Sequence, residues 1–189
     1  MVTTANSSAL LWDISIPESL TGTQRWVLSA MKSHGPTLVN MLWRILGNEQ
    51  DVCDAYQDTF LNLAHYEGGQ KPENIKAYLF ASAGNAAVSM LRTRINEKRH
   101  ISEIDTSKSK IKSPSDELDS RYLLESLRYH IARLPDNLRS VILLRDLAEL
   151  SYEQVGKVLS ITPSTARVYR CRAVRQLSKW LHEKREKVR

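Results

Sequence analysis

Apolar residues along this chain recur every three or four positions, and strict alternation is not sustained anywhere, so the pattern predicts helices and no sheet. Between Arg25 and Leu46 the apolar positions are Trp26, Val27, Ala30, Val39, Leu42, Trp43 and Leu46, interrupted by Gly35-Pro36. Proline suits a first helical turn and not an interior, so this stretch is expected as two helices. In "GNEQDVCDAYQDTFLNLAHY" the residues Val52, Tyr56, Phe60 and Leu63, with Ala55 and Thr59 between them, form one apolar stripe. Asp51, Asp54, Gln57 and Asp58 fall on the other side, and Gly68-Gly69 is expected to end the helix. After Pro72, "ENIKAYLFASAGNAAVSMLRTR" predicts a helix with Ile75, Tyr78, Leu79, Ala83 and Ala86 inward, running into the basic cluster Arg92, Arg94, Lys98 and Arg99.

Periodicity then fades. "ISEIDTSKSKIKSPSDELD" is rich in Ser, Lys and Asp, contains Pro114, and reads as a flexible linker. A second compact region follows. Leu134-Pro135 opens a helix carrying Leu138, Val141, Ile142 and Leu144. Next comes "LSYEQVGKVLSITPSTARVYRCR", residues 150–172, which has the signals of two short helices around a turn. Ser151 with Gln154 three residues on fits a capping box, and Thr162-Pro163 fits an N-cap followed by a first-turn proline. The expected organisation is all-α: an arm at 1–24, a helical domain at 25–96, a linker at 97–120, and a helix-turn-helix domain at 121–189.

Charge sharpens this division. Residues 121–189 hold 15 Lys/Arg against 7 Asp/Glu, whereas residues 1–120 hold 12 against 14, so the whole basic excess lies in the last third. A basic module joined to a neutral or acidic one points to nucleic acid at one end and a different partner at the other. In a helix-turn-helix the second helix enters the major groove, and its exposed stripe here is Ser164, Arg167, Val168 and Cys171, with Arg172 and Arg175 further along. Arginine can read guanine with two hydrogen bonds, whereas the outer arginines suit phosphates.

Other chemistries find little support. Cys53 and Cys171 are the only cysteines, and the five histidines are scattered without metal-ligand spacing, so two reduced thiols and no metal are expected. No phosphate loop, nucleophile elbow or paired carboxylate motif is present, so neither an enzyme nor a cofactor is expected. There is no apolar run of membrane-spanning length, and no basic residue precedes Arg25, so a cytoplasmic protein without membrane insertion is expected.

"LPDNLRSVILLRDLAELSYEQVGKVLSITPSTARVYRCRAVRQL" resembles the C-terminal domain of extracytoplasmic-function (ECF) sigma factors, the small bacterial transcription initiation subunits. Leu134-Pro135, Leu150-Ser151-Tyr152, Val155, Ile161, Thr165, Arg172 and Leu177 fall where that pattern places them. "LVNMLWRILGNEQDVCDAYQDTFLNLA" is similar to the family's first block, with Asp51, Asp54, Gln57, Thr59, Phe60 and Leu61 matching by position and Asp58 keeping an acid. The resemblance covers roughly residues 36–95 and 121–181.

It implies that Asp51, Asp54, Gln57, Asp58 and Phe60 dock on the β′ clamp helices of core RNA polymerase. Lys76, Tyr78, Asn85, Arg92 and Arg94 would capture and open the −10 element of promoter DNA. Ser164, Thr165, Arg167, Val168, Cys171, Arg172 and Arg175 would read the −35 element. An anti-sigma factor as inhibitory partner is implied as well. Phe80 is a second aromatic in the −10 block, and for at least one of Tyr78 and Phe80 core packing is the expected role. Several positions depart from the family: Ser160 stands where glycine is usual at the turn, Arg170 where leucine is frequent and Ala166 where a larger aliphatic residue is, and "FASAGN" lacks the usual basic residue next to Asn85. Rival readings are an autonomous helix-turn-helix regulator, or a sigma-like decoy that binds an anti-sigma protein and no promoter.

Overall fold

The computed structural model describes residues 22–65, 72, 74–104 and 116–186, with side chains described over 25–65, 72, 74–97 and 120–183. The described residues contain helices and no strand. Helices α1 (Gly22–Leu46), α2 (Glu49–Ala64) and α3 (Ile75–Ile104) make the first half. Helices α4 (Asp116–Arg133) and α5 (Asp136–Ile142), a π-helical turn (Leu143–Leu147), α6 (Tyr152–Leu159) and α7 (Pro163–Glu186) make the second. The expected arm lies outside the described residues except for its last three, which begin α1.

The expected break in α1 does not occur: one helix runs through Pro36. Pro36 is exposed, so the carbonyl its ring leaves without a helical donor can be hydrated. Gly35 serves packing instead of termination, because a Cβ there would lie 2.8 Å from the Tyr56 hydroxyl. Trp43, one of the periodic apolar positions, is 42% exposed, while Leu38, Met41 and Ile45 join Val27, Ala30, Leu42 and Leu46 in the core. In α2 the predicted stripe is the buried one, Val52, Ala55, Tyr56, Thr59, Phe60 and Leu63. The helix starts at Asn48, whose side-chain oxygen accepts the Asp51 amide at 2.9 Å, and it ends before Gly68-Gly69, which lie outside the described residues.

The buried face of α3 is wider than its apolar spacing suggested. Ala77, Leu79, Phe80, Ala83, Ala87, Val88 and Leu91 are buried, whereas Ile75, Tyr78 and Ala86 are only partly so. The reason is that α3 is covered twice, by α1 and α2 on one side and by α4, α5, the π turn and α6 on the other. A Cβ at Gly84 would stand 3.3 Å from Leu143 Cδ1, which shows how close the π turn comes to α3.

Part of the expected linker is helical. Residues 97–104 continue α3 and 116–120 already belong to α4, leaving 105–115 outside the described residues. Nothing in 97–104 breaks a helix; the strong breaker, Pro114, comes later. Two arginines fasten the halves together. Arg128 of α4 donates from Nε to the Arg44 carbonyl at 3.1 Å and from Nη2 to the Trp43 carbonyl at 3.2 Å, placing a cation at the C-terminal end of α1. Arg92 of α3 donates from Nε to the Ala132 carbonyl at 3.0 Å and pairs with Asp136 at 3.5 Å.

Candidate DNA-reading and partner-binding surfaces

The helix-turn-helix forms through the local signals that its sequence carries. Ser151 Oγ accepts the Gln154 amide at 3.2 Å, and the Gln154 side chain accepts the Ser151 amide at 2.8 Å, so the capping box closes in both directions. Thr162 Oγ1 accepts the Thr165 amide at 3.1 Å and starts α7 with Pro163 in its first turn. Between the helices, Ser160 takes the left-handed conformation at φ 53°, as expected for a residue replacing the usual glycine. Gly156 is required sterically: a Cβ would lie 2.6 Å from the Ile161 carbonyl oxygen.

Ala166 and Ala173 are fully buried, and small side chains let α7 lie close on its neighbours. This fixes the opposite face outward. Ser164, Arg167, Val168, Cys171, Arg172 and Arg175 are all exposed, with Val168 at 46%, so the structure brings six of the seven expected −35 residues onto one surface. Thr165 is the exception: it is half-buried, and its hydroxyl pairs with Thr162 at 2.8 Å within the cap. Arg170 is turned away from this surface. Its Nε donates to both carboxylate oxygens of Asp146 in the π turn, at 2.8 and 3.0 Å. A charge–charge brace thus stands where the family often has an apolar contact.

Residues outside the expected set also shape this end. The Tyr152 ring has the guanidinium of Arg145 at 5.0 Å and that of Arg167 at 5.1 Å from its centroid. The Glu153 carboxyl lies below the usual carboxylate range. A hydrogen bond from its own backbone contributes most, then the Ser151 hydroxyl, with the charges of Arg167 and Arg145 adding to it. Only an aromatic in the first turn of α6 with arginines before and after it could have signalled this cluster in the sequence.

The expected −10 residues do not form one patch. Tyr78, Asn85 and Arg92 are spaced by seven, so they follow one line along α3; Lys76 and Arg94 lie about half a turn round the helix. Asn85 and Arg92 are exposed, and Arg92 faces the second half through Ala132 and Asp136. Arg94 faces the other way, donating to Asp51 at 3.0 Å and to the Leu46 carbonyl at 2.9 Å. Lys76 sits 5.7 Å from the Phe80 ring and, after desolvation, is the second cause that lowers the pKa of His34 in α1. Phe80 is fully buried, meeting the expectation that one of the two aromatics belongs to the core.

The expected polymerase-binding set divides similarly. Asp54, Gln57 and Asp58 are exposed together on α2. Phe60 is 5% exposed and packs at a tilt against Tyr56, with ring centroids 4.8 Å apart, so it belongs to the core, where the apolar period placed it. Asp51 is half-buried, held by Asn48 at 2.6 Å and by Arg94. Leu61, not included in that set, is 56% exposed and completes the stripe Asp54, Gln57, Asp58 and Leu61. Its position one residue beyond the apolar stripe, seven after Asp54, was the signal. Among the described residues no group of three or more His, Cys, Asp or Glu could hold a metal ion, and no helix is long and apolar enough to cross a membrane.

Comparison with known proteins agrees with both halves. Residues 30–95 match Sigma-70 region 2, and residues 124–177 match Sigma-70, region 4. ECF RNA polymerase sigma factor SigE of Mycolicibacterium smegmatis is 26% identical over 154 residues, covering 80% of this chain and 60% of that protein, so the chain spans less than two thirds of this relative. RNA polymerase sigma factor YlaC of Bacillus subtilis is 27% identical over 160 residues, covering 80% and 90%. RNA polymerase sigma factor CarQ of Myxococcus xanthus is 28% identical, covering 79% and 86%. The fold is similar to that of CnrH in its complex with the cytosolic domain of CnrY, with a TM-score of 0.57 at 22% identity, covering 86% of this chain and 91% of that one. With Sigma-70 region 2 and region 4 matched in that order along the sequence, the chain belongs to the ECF subfamily of RNA polymerase sigma factors.

Proposed function

We propose that this chain binds core RNA polymerase through α2, reads the −35 element with α7, and captures the −10 element with α3. The observation that carries the reading is the pairing of two unlike surfaces on one chain: an exposed arginine face on a capped recognition helix, and an exposed acidic stripe on α2. The acidic stripe repels DNA and suits a basic protein partner, with Leu61 supplying the apolar centre such a contact needs. The β′ clamp helices are that partner, and Asp54, Gln57, Asp58 and Leu61 are the residues that meet them. Residues 25–96 and 121–189 are the two functional units, working in the cytoplasm.

On the −10 side the reading rests on Asn85 and Arg92, with Tyr78 on the same line of α3. Arg94 and Lys76 act as structural cations behind it. Arg92 is engaged with the second half, so DNA capture requires that the halves separate and Arg92 exchange Ala132 and Asp136 for phosphate. CnrH was solved with the cytosolic domain of CnrY, and a protein of that kind is the proposed inhibitor of this chain.

The decoy reading loses its two footholds: Ser160 adopts the turn geometry and Arg170 has its own carboxylate. Assembly with core polymerase followed by gel filtration tests the proposal. The wild-type chain should co-elute with core enzyme, and Asp54→Arg with Asp58→Arg should abolish co-elution while leaving the melting temperature within a few degrees. A wild-type chain that never joins core polymerase would overturn it.

A further inference from the structure

The arginines of the helix-turn-helix differ in how they are held. Arg170 spends its guanidinium on Asp146. Arg145 donates from Nη1 to the Leu150 carbonyl at 3.1 Å. Arg172 and Arg175 project from α7 without a ring or a carboxylate partner among the described residues. Arg167 is unlike all of these. It makes no hydrogen bond or ion pair among the described residues, so its five N–H donors are uncommitted, yet its guanidinium is held 5.1 Å from the centroid of the Tyr152 ring.

We propose that Tyr152 is a positioning residue for −35 recognition: its ring, in the first turn of α6, presents the Arg167 guanidinium to a base edge, so base preference at one position depends on a residue acting only through Arg167. This inference rests on the proposed role of α7.

The physical argument is one of preorganisation. A free arginine loses rotamer entropy when its planar fork lines up with two acceptors, and a side chain already laid against an aromatic face loses less. The ring is itself fixed. Arg145 lies 5.0 Å from its centroid while tied to Leu150, and the phenol interacts with Arg170 at its other end. Two guanidiniums beside one ring repel each other, and the Glu153 carboxylate lies in the field of both. Tyr152 therefore joins the π turn, α6 and α7 at the one arginine of the reading face that combines uncommitted donors with a ring to lie against. Arg172 and Arg175, with no such platform, suit phosphate contacts that tolerate loose geometry.

The test uses the full chain assembled with core RNA polymerase and a duplex DNA library randomised over the upstream promoter region. Bound sequences give the base preference at each position, with thermal melting of each variant alongside. Arg167→Ala should erase the preference at one position. Tyr152→Phe, which keeps the ring, should retain it. Tyr152→Leu should reduce preference at that same position about tenfold, leave neighbouring positions unchanged, and add nothing in an Arg167→Ala background. Should leucine lower the melting temperature into the assay range, Tyr152→Met, long but without a π face, must behave as leucine is expected to.

A leucine or methionine variant that keeps the preference would overturn the proposal. So would one that weakens binding evenly at all positions, or one whose effect adds to that of Arg167→Ala. If the wild-type holoenzyme selects no sequence at all, the promoter-reading function falls and this inference with it; the wild-type arm separates the two failures.

Discussion

Ser160 and Arg170 show how single residues can leave a family pattern and keep its geometry. Ser160 holds a left-handed φ of 53° without glycine's freedom, and it is exposed, so Ser160→Gly removes strain and no contact. We expect that substitution to stabilise the chain by about 0.5–1 kcal/mol, read from thermal melts. Arg170 and Asp146 form an ion pair about a third exposed, so solvent screens it. Arg170→Ala should cost only about 0.5–1 kcal/mol for this pair, and in an Asp146→Ala background the loss should shrink in a double-mutant cycle. Both departures were visible in the sequence. What became of them was not, because the partner of Arg170 lies 24 residues away and across a turn.

At the scale of elements, local chemistry was the most legible part of the sequence. The Ser151–Gln154 box and the Thr162-Pro163 start are written within four residues, and the structure closes them as expected. The stripe of α2 was legible too, and it corrects the site drawn from family resemblance: Phe60 follows the apolar period into the core. Phe60→Ala should therefore destabilise the protein by about 3–5 kcal/mol. Leu61→Ala and Asp58→Ala should leave melting nearly unchanged and weaken capture of core polymerase in a pull-down. Less legible was α1, where Gly35-Pro36 has the signature of a helix break and is instead accommodated by an exposed proline and the room Gly35 gives Tyr56. The lesson of α3 is similar. A helix covered on two sides shows no single apolar face, so spacing marked Ile75 and Tyr78, which pack against the core only partly buried, and left out the buried Ala77, Ala87, Val88 and Leu91.

For the whole molecule, the polar contacts between halves were not legible, because they are made by charged residues donating to backbone carbonyls that no sequence pattern marks. Arg128 on Trp43 and Arg44, and Arg92 on Ala132, are such contacts. Asp136 joins this network and sits below its ordinary carboxylate range, first through its hydrogen bond from Arg139 and that residue's charge, then through Arg92. A depressed folded pKa means that the stabilisation is present above the unfolded value and is lost as pH falls through the folded one. Chemical denaturation as a function of pH should thus show stability falling once pH drops below the ordinary aspartate range, and Asp136→Asn should flatten that part of the curve. The division into a neutral-to-acidic first part and a basic last third, by contrast, was plain from charge alone, and it is that division which the proposed function uses.

Run-off transcription tests the central claim most directly. Purified core RNA polymerase, the full chain, and DNA templates recovered by the assembled holoenzyme are combined, and the 5′ ends of transcripts are mapped. Discrete starts that vanish when the chain is omitted, and that fade with Arg167→Ala, are the predicted result. Transcripts indifferent to the chain, or sequence-specific binding at a two-fold symmetric site without polymerase, would contradict it.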